Sequence, residues 1–496
     1  MATKSYLAID MGASSGRHIV GHFDGDRIHL EEIYRFENGP VEMAGNLYWN
    51  LPGQWTHVLN GMQTAGAKYG SQILSVGVDT WGVDFGLLGR NDTLLGNPYC
   101  YRDPRTDGAM ERAFQTLSRN EIFTQTGLQF MQFNSLYQFL VMQWEKSPVL
   151  ESAESFLMMP DLFHWLMSGI KANEFTNATT TQCFNPVTHD WAKPMLGKFG
   201  LPEHLFQSAT PPGTTLGKLR TSVAETAGLS ANVVLPGTHD TASAVMAVPT
   251  SRPSGQTDWC YISLGTWALM GVETKVPVTS EKAFEYNFTN EGGVGGTFRL
   301  LKNISGLWLI QECRRIWNQE GKDWDWEDLN RMSASAKPLV TFINPDVREF
   351  LAPTDMPEAI RQYAARTGQR IPENEGAVLR CALESIAMKF RVTLEMCENL
   401  TGTKIETIHI VGGGTKNLQL CQAAADACGR PVVTGPVEAT AIGNLMMQAV
   451  AAGDVADIPQ AREVIRRSFE VMEFLPQNTD QWNNAYERFK EIIAGH

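Results

Sequence analysis

Residues 236–245, Pro-Gly-Thr-His-Asp-Thr-Ala-Ser-Ala-Val, form the most informative turn of this 496-residue chain. The apolar run at 233–235 predicts a buried strand that leads into the turn, and the Pro-Gly pair predicts where that strand ends. The small residues after Asp240 predict the start of a packed helix. A carboxylate at such a turn can face a cleft while its backbone stays anchored, so Asp240 is a candidate general base. His239 is a rival base, because the ordinary pKa of histidine is nearer to neutrality, and a plain polar turn is the alternative for both.

The N-terminal region contains a second loop of small residues. Residues 6–9 predict an apolar strand that ends at Asp10, and the loop 12–17, Gly-Ala-Ser-Ser-Gly-Arg, joins it to a further strand, with a hairpin signal at Asp24-Gly25. A loop between antiparallel strands is neither a Walker P-loop nor a Rossmann fingerprint, since both require a helix after the loop. Its N–H groups and hydroxyls can still cradle phosphate oxygens, and Asp10 can bind Mg²⁺ directly or through water. The alternative is a plain hairpin with a solvated aspartate.

The stretch 79–85, Asp-Thr-Trp-Gly-Val-Asp-Phe, follows a predicted buried strand at 73–78. Carboxylates accept hydrogen bonds from sugar hydroxyls, an indole covers an apolar sugar face, and a glycine permits close approach. The stretch therefore favours sugar recognition, with a packed turn around one structural aspartate as the alternative. The threonine-rich stretch 176–182 is typical of a hydrogen-bonded wall. With Asp240 and the N-terminal loop, these patterns lead to the hypothesis of a kinase that phosphorylates a small sugar.

The pattern restarts after residues 249–258, a run rich in Pro, Ser, Gly and Thr. Two strands flanking the turn Gly265-Thr266 and a later strand ending in three glycines are predicted at 259–264, 267–272 and 407–411. Each half thus begins with a hairpin around a small-residue loop and continues with strand–loop–helix units. This order predicts a duplicated α/β domain with a nucleotide held between two lobes. Helical spacing of apolar residues predicts helices at 52–69, 136–144, 156–167, 417–428, 438–451 and in the C-terminal tail.

Composition narrows the class of protein. The formal net charge of −13 argues against binding to nucleic acid or to an anionic membrane. The N-terminal region shows no signal peptide, and no apolar run is long enough to span a bilayer. The eight cysteines include no CxxC pair, so we expect reduced thiols rather than a zinc site. We therefore expect a cytoplasmic protein. A monomer or a homodimer is the expected state, which composition does not determine.

Taken in order, the loops and strand ends resemble those of the FGGY family of carbohydrate kinases over nearly the whole chain. The segments that carry the resemblance are 10–17, 77–85, 101–106, 159–169, 237–245, 263–266, 377–391, 409–414 and 435–449. The resemblance implies an α/β fold of two ribonuclease-H-like (actin-like ATPase) lobes with an interlobe cleft. It also implies three parts, namely a sugar-binding lobe with the catalytic base at 1–248, an ATP-binding lobe at 257–456 and a helical tail at 457–496.

The resemblance further implies roles in an ATP- and Mg²⁺-dependent phosphorylation of a small-molecule ketose. Asp240 would accept the proton and Asp10 would hold Mg²⁺. The residues that would contact the ketose are Gly82, His239, Asp240, Thr241 and Asn303. The residues that would contact ATP are Ala13, Ser14, Ser15, Gly16, Arg17, Thr266, Gln311 and Gly413. Relatives often carry a serine where this chain has Leu264, which removes a possible hydroxyl contact but leaves the Gly-Thr turn intact. A non-catalytic sensor of sugar or nucleotide on the same scaffold is the alternative from another class.

Overall fold

The computed structural model describes residues 3–351 and 353–495, which divide into two compact units. The first unit contains the described residues up to Gly255 together with Glu273–Leu300 and Glu438–Phe469. The second unit contains Gln256–Val272, Leu301–Val437 and the described residues from Glu470 onward. The chain therefore passes between the units more than once. Within residues 3–351 and 353–495, no helix combines the length and the apolar character that crossing a membrane requires.

The strands, in chain order, are β1 (Lys4–Met11), β2 (Ser15–Phe23), β3 (Ile28–Glu37), β4 (Pro40–Met43), β5 (Asn46–Trp49), β6 (Ile73–Thr80), β7 (Phe85–Leu88), β8 (Ser155–Met158), β9 (Asn173–Glu174), β10 (Phe184–Asn185), β11 (Asp190–Trp191), β12 (Ala209–Thr210), β13 (Thr215–Lys218), β14 (Asn232–Val234), β15 (Trp259–Leu264), β16 (Trp267–Thr274), β17 (Thr289–Gly292), β18 (Phe298–Ser305), β19 (Thr407–Val411), β20 (Val432–Thr434) and β21 (Glu473–Phe474).

The α-helices are α1 (Leu51–Tyr69), α2 (Ala109–Ala113), α3 (Arg119–Thr126), α4 (Ser135–Trp144), α5 (Pro148–Glu151), α6 (Met159–Ser168), α7 (Phe175–Ala178), α8 (Lys193–Lys198), α9 (Thr221–Ala227), α10 (Asp240–Met246), α11 (Glu281–Glu285), α12 (Trp308–Gln319), α13 (Trp326–Ser335), α14 (Met356–Arg366), α15 (Glu375–Thr401), α16 (Leu418–Cys428), α17 (Ala439–Ala451), α18 (Ile458–Ser468) and α19 (Thr479–Ala494).

The first unit is built on a sheet with the strand order β13-β14-β6-β1-β2-β3. β1, β2 and β3 are antiparallel neighbours, whereas β6 runs parallel to β1 and β14 runs parallel to β6. The turn between β2 and β3 forms where Asp24 Oδ1 accepts hydrogen bonds from the backbone N–H groups of Asp26 and Arg27, each at 2.8 Å. Gly25 adopts a left-handed φ of 103° there. The predicted N-terminal hairpin is confirmed.

Helix α17 carries a buried polar row onto this sheet. Asn444 Nδ2 donates to Asp79 Oδ2 at 2.6 Å, and Gln448 Nε2 donates to a β1 carbonyl oxygen at 2.9 Å. Gly443 brings α17 close to α10, since a Cβ at that position would lie 1.8 Å from Ser243 O. The amides satisfy one another and the backbone, so the row can be buried without orphaned donors.

The sheet strands of the second unit follow the order β18-β16-β15-β19-β20-β21. β15 and β16 are antiparallel, β19 and β20 run parallel to β15, and β21 is antiparallel to β20. In order, β15, β16, β18, β19 and β20 correspond to β1, β2, β3, β6 and β14 of the first unit. The shared order supports the duplicated α/β domain that the sequence predicted.

Most of the predicted helices are confirmed, including those of the C-terminal tail as α18 and α19, but the prediction at 156–167 is wrong at its start. The residues before Met159 form β8, which pairs with β7, and α6 begins at Met159. Pro160 stands in the first turn of α6, where its missing N–H has no intrahelical partner to lose. That proline was the available signal for the true helix start.

Candidate active site

Asp240 is the first residue of α10 and follows the turn after β14. A parallel bridge between Thr80 and His239 extends the pairing at the end of β6 to the residue before Asp240. Asp10 and Asp79 are register partners on the parallel strands β1 and β6. The carboxyl ends of β1, β6 and β14 therefore bring three carboxylates to one edge of the first unit's sheet. Ligands of open α/β sheets bind at such an edge.

The threonine-rich stretch forms a wall that holds this turn. Glu174 accepts hydrogen bonds from the backbone N–H and hydroxyl of Thr176 at 2.9 and 2.5 Å, and from those of Thr238 at 3.1 and 2.7 Å. The Thr176 hydroxyl oxygen in turn accepts from the His239 backbone N–H at 3.1 Å. Burial raises the pKa of Glu174 to about 7, although these hydrogen bonds act to lower it. The predicted wall is confirmed, and its anchor is Glu174, a residue that the sequence interpretation missed.

The carboxylates at the sheet edge have different surroundings. Burial raises the pKa of Asp79 well above its usual range, and the Asp10 carboxylate raises it further. Burial also raises the pKa of Asp240, while His239 acts in the opposite direction. Asp79 is fully buried, whereas 33% of the Asp240 side chain is exposed. Asp240 is therefore the carboxylate of this pair that a substrate can contact.

The Thr241 hydroxyl orients the Asp240 carboxylate, and His239 lies beside it. The Thr241 hydroxyl donates to Asp240 Oδ1 at 3.0 Å, and His239 Nε2 lies 3.4 Å from the same oxygen. Neither neighbour is a permanent cation, so neither stabilises the ionised carboxylate as an arginine would. This arrangement suits a general base, because the carboxylate is oriented yet retains its affinity for a proton.

An ion pair from β17 and β18 borders His239 on its other side. His239 Nδ1 lies 2.9 Å from Arg299 Nη2 and 3.2 Å from Glu291 Oε2, and the latter two atoms are 3.0 Å apart. Arg299 Nε also donates to Gly292 O at 2.9 Å. Burial acts to raise the pKa of Glu291, but the Arg299 charge and His239 outweigh it and hold that pKa below its usual range. The sequence interpretation missed Glu291 and Arg299, although a lone arginine in an apolar strand is a signal of a buried ion pair.

The loop between β1 and β2 is a tight turn, as predicted. The Gly12 N–H donates to Ser15 O at 2.9 Å, and the Asn38 N–H donates to Ser14 O at 3.1 Å. The Asn38 side chain also donates to Gly12 O at 2.8 Å. Ser14 and Ser15 are exposed and Ala13 is half-buried, so this part of the loop is accessible to a ligand. Phosphate binding by the loop stays a prediction.

Gly16 and Arg17, at the start of β2, make contacts that the sequence did not reveal. A Cβ at Gly16 would lie 2.1 Å from the ring of Phe36, so packing alone requires glycine there. Arg17 donates to Asp10 Oδ2 from Nε at 3.0 Å and from Nη2 at 2.8 Å, and its Nη1 pairs with Glu438 Oε2 at 2.5 Å. Contact of Arg17 with phosphate stays a prediction, in which phosphate would share a guanidinium that already pairs with two carboxylates.

The described part of the chain contains no group of three or more His, Cys, Asp or Glu side chains that could hold a metal ion. Mg²⁺ bound with a nucleotide needs fewer protein ligands than such a group provides, because it keeps several waters and takes one or two carboxylates plus phosphate oxygens. Asp10, a carboxylate at the end of β1 beside the loop, fits that requirement through Oδ1, because Oδ2 accepts from Arg17.

The stretch 79–85 differs from its sequence interpretation. Asp84 is fully buried and accepts hydrogen bonds from Trp49 Nε1 at 2.6 Å, Trp81 Nε1 at 3.0 Å, the Tyr101 N–H at 3.1 Å and Gln138 Nε2 at 2.9 Å. Burial raises the pKa of Asp84 to about 6, although these donors act to lower it. The prediction that the two acids of this stretch bind sugar hydroxyls is therefore wrong. Asp84 is a structural aspartate, and Asp79 is fully buried where it accepts a hydrogen bond from Asn444 of α17.

Gly82 and Val83 lie against Thr180. A Cβ at Gly82 would lie 2.9 Å from Thr180 Oγ1, and the Val83 N–H donates to that oxygen at 3.0 Å. Val83 has a φ of 67°, a left-handed conformation that a β-branched residue rarely adopts. Such strain persists only where the surroundings impose it, and it concentrates at functional sites. Contact of Gly82 with a sugar stays a prediction.

In the second unit, Thr266 and the glycine loop follow the neighbouring parallel strands β15 and β19. Thr266 Oγ1 donates to Gln311 Oε1 at 3.2 Å, so two predicted ATP contacts touch each other. A Cβ at Gly414 would lie 2.2 Å from the Leu264 side chain, whereas Gly413 has open space at its Cβ position. Leu264 thus packs against the glycine loop, where a serine at this position would offer a hydroxyl contact.

Asn303 lies in β18 within the second unit, whereas the other predicted ketose contacts lie in the first. Its contact with substrate stays a prediction. The neighbouring Lys302 is half-buried, and burial lowers the pKa of Lys302 to about 8, with the Lys389 charge adding to the effect.

Comparison with known proteins agrees with this geometry. The N-terminal domain model of the FGGY family of carbohydrate kinases matches residues 5–247, and the C-terminal domain model matches residues 260–452. The chain belongs to the FGGY family of carbohydrate kinases. The family predicted from the loops and strand ends is confirmed, and ATP with Mg²⁺ is the phosphate donor that this family uses.

Curated FGGY relatives match nearly the full length of the chain. It is 42% identical over 491 residues to the rhamnulokinase of Bacteroides thetaiotaomicron, which covers 99% of both chains. It is 38% identical over 490 residues to the rhamnulokinase of Bacillus subtilis, which covers 98% of both chains.

Solved FGGY-kinase structures share the fold. The gluconate kinase from Lactobacillus acidophilus aligns with a TM-score of 0.81 at 15% identity, covering 100% of this chain and 98% of that one. Plasmodium falciparum glycerol kinase with ADP aligns with a TM-score of 0.75 at 14% identity, covering 98% of each chain. The predicted α/β fold of the actin-like ATPase class, with two sheet-containing lobes, is confirmed.

Proposed function

We propose that this protein transfers the γ-phosphoryl group of MgATP to the 1-hydroxyl of L-rhamnulose, which is the rhamnulokinase step of L-rhamnose catabolism. The observation that carries the proposal is the oriented, partly exposed Asp240 carboxylate, whose pKa is raised by burial, at the carboxyl edge of a sheet in a carbohydrate kinase. The full-length similarity to curated rhamnulokinases supports the choice of ketose.

Three sequence features support the same ketose by their resemblance to rhamnulokinases. The strand end 78–85 is Val-Asp-Thr-Trp-Gly-Val-Asp-Phe, and the base is preceded by histidine in 238–244, Thr-His-Asp-Thr-Ala-Ser-Ala. The segments 289–293, Thr-Asn-Glu-Gly-Gly, and 301–308, Leu-Lys-Asn-Ile-Ser-Gly-Leu-Trp, follow later in the chain. Residue types alone do not separate ketoses that differ in one hydroxyl orientation, so L-fuculose and L-xylulose are the alternatives within the class.

In the proposed mechanism, Asp240 accepts the proton of the 1-hydroxyl as that oxygen attacks the phosphoryl group. The raised pKa of Asp240 favours the step, because a stronger base takes the proton more readily in the transition state. Thr241 keeps the carboxylate oriented, and Gly82, His239, Thr241 and Asn303 are the other proposed contacts with the ketose. Positioning and charge neutralisation supply the rest of the rate enhancement.

MgATP supplies the phosphoryl group together with a divalent charge that offsets its oxygens. We assign the carboxylate contact with Mg²⁺ to Asp10. The proposed ATP contacts are Ala13, Ser14, Ser15, Gly16 and Arg17 in the first unit and Thr266, Gln311 and Gly413 in the second. A cytoplasmic location and a monomeric or homodimeric state stay predictions.

A panel of ketoses with MgATP, measured by coupled ADP release, tests the proposal. We expect the highest kcat/KM for L-rhamnulose, with L-fuculose and L-xylulose clearly lower. A higher kcat/KM for another ketose would show that the proposed substrate is wrong, although the proposed reaction would stand. A flat response to every sugar would favour the non-catalytic sensor.

A further inference from the structure

The two ring nitrogens of His239 face groups of different character. Nε2 lies 3.4 Å from Asp240 Oδ1, and Nδ1 lies 2.9 Å from Arg299 Nη2 and 3.2 Å from Glu291 Oε2. Glu291 comes from β17 and Arg299 from β18, so residues distant in sequence determine the surroundings of the ring. His239 is 7% exposed and Arg299 is fully buried, which leaves water little access to this contact.

The contact with Arg299 determines which nitrogen carries the ring proton. A guanidinium stays protonated and has only donors, so Nδ1 at 2.9 Å must accept through its lone pair. A hydrogen on Nδ1 would instead place the N–H of the ring opposite an N–H of the Arg299 guanidinium, and neither group could accept. The 3.0 Å ion pair between Arg299 and Glu291 needs no hydrogen from the ring, so it leaves this assignment intact. The single proton of a neutral imidazole is then on Nε2, which faces Asp240.

We propose that Arg299 is a positioning residue of the phosphoryl-transfer site, because it holds His239 as the Nε2–H tautomer with Nε2 at 3.4 Å from Asp240 Oδ1. The role in catalysis rests on the kinase function proposed above, whereas the tautomer does not. In this state neither ring nitrogen of His239 can take the proton of a hydroxyl, since one lone pair is engaged by Arg299 and the other position already carries hydrogen. Asp240 is then the proton acceptor of the pair, and the single Nε2–H of His239 can donate a hydrogen bond to the ketose beside that carboxylate.

Glu291 has a separate part in this arrangement. An arginine with no exposure needs a nearby counter-charge, and Glu291 supplies it. Glu291 therefore stabilises the buried guanidinium, and its Oε2 lies 3.2 Å from Nδ1 without a hydrogen bond to it. The two members of the ion pair consequently have distinguishable effects on His239.

The tautomer can be measured directly on the full-length protein without substrate. Selective ¹⁵N labelling of its ten histidines, with His239→Gln to assign the resonances, reports each ring nitrogen as pyridine-like or pyrrole-like. We expect a pyridine-like Nδ1 and a pyrrole-like Nε2 for His239. A pyrrole-like Nδ1, or two protonated nitrogens at pH 7, would overturn the proposal whatever the enzyme phosphorylates.

Two variants separate the roles of the ion pair. Glu291→Gln keeps an acceptor oxygen beside Arg299 but removes its counter-charge, so the variant should be less stable while the tautomer in the folded protein should be unchanged. If Nδ1 instead donated a hydrogen bond to Glu291, this variant would change the tautomer. Arg299→Lys lacks the planar fork that reaches Gly292 O and Nδ1 together, so the Nε2–H tautomer should lose its dominance. We expect its kcat/KM for the ketose to fall about 10-fold or more, by analogy with the hydrogen-bond partners of metal-binding histidines, with little change in the KM for ATP.

Arg462→Lys is the matched control, because Arg462 is also a buried arginine paired with a glutamate, Glu273, at 2.8 Å. It should lower thermal stability while leaving the His239 tautomer and the ketose kinetics near those of the wild type. A loss of ketose kcat/KM in this control equal to that in Arg299→Lys would reduce the role of Arg299 to stability. An unchanged tautomer in a folded Arg299→Lys protein would also contradict the proposal.

Discussion

Asp240→Asn tests the proposed base with the smallest change of shape. The Thr241 hydroxyl can still donate to an amide oxygen at the position of Oδ1, 3.0 Å away in the wild type. An amide does not take up a proton at neutral pH, so the whole contribution of general-base catalysis is lost. That contribution predicts a fall in kcat of about 100- to 10,000-fold, or about 2.7 to 5.5 kcal/mol of transition-state stabilisation.

The stability of Asp240→Asn should be maintained or increased, although its kcat falls. Because burial raises the pKa of Asp240, the folded state binds the proton more tightly than the unfolded state does. The ionised carboxylate therefore costs stability once the pH exceeds the unfolded pKa, and an uncharged amide removes that cost. At pH 7 the variant should unfold at the same temperature as the wild type or at a higher one.

Coupled ADP release and thermal unfolding, measured on the same preparation, check both expectations. Asp190→Asn, at a half-buried aspartate paired with Lys193, provides a control that should keep kcat. Retention of kcat within about 10-fold of the wild type by Asp240→Asn would refute the base assignment. A clear fall in the unfolding temperature would show that the electrostatic reasoning about the folded state is wrong.

Three further substitutions probe the structure around the site. Burial raises the pKa of Glu174 from its ordinary value of 4.5 to about 7, so the wild type should lose about 3 kcal/mol relative to Glu174→Gln as the pH rises from 4 to 8, measured by urea unfolding. A difference that stays constant with pH would contradict that shift. Gly443→Ala should cost about 1–3 kcal/mol by calorimetry, since its Cβ would lie 1.8 Å from Ser243 O, and an unchanged Tm would contradict the close approach of α17. Asp84→Asn should cost about 1–3 kcal/mol in urea unfolding by turning one acceptor into a donor that faces other donors, and a neutral effect would contradict the hydrogen-bond assignment.

The sequence predicted the parts of the site that depend on local patterns. A strand followed by Pro-Gly and a run of small residues is a local pattern, and it located Asp240 at the first position of α10. The Asp24-Gly25 signal likewise predicted the turn between β2 and β3, the strands that follow the loop after Asp10. The helix predicted over 156–167 started too early, because apolar runs of strand and helix look alike and only Pro160 marked the change.

The sequence could not predict contacts that join distant segments. Asp79 and Asp84 have the residue type of sugar ligands, yet their burial depends on α17 and on donors from three other segments. The pairing of Arg299 with His239 spans 60 positions, and no periodicity or spacing records it. Arg17 similarly meets Glu438, which lies at the other end of the chain.

Helix α17 has a consequence for how the protein is made. Gln448 donates a hydrogen bond to the carbonyl oxygen of Leu7 across 441 positions. The first strand, β1, therefore cannot make this contact until α17 has been synthesised. During synthesis the central strands of the first unit are thus uncovered on one side, and their polar groups lack the amides that satisfy them. Contacts of such sequence separation slow folding and prolong exposure to aggregation. A nascent chain that stalls before residue 439 should therefore depend on chaperones, however complete its second-unit sheet already is.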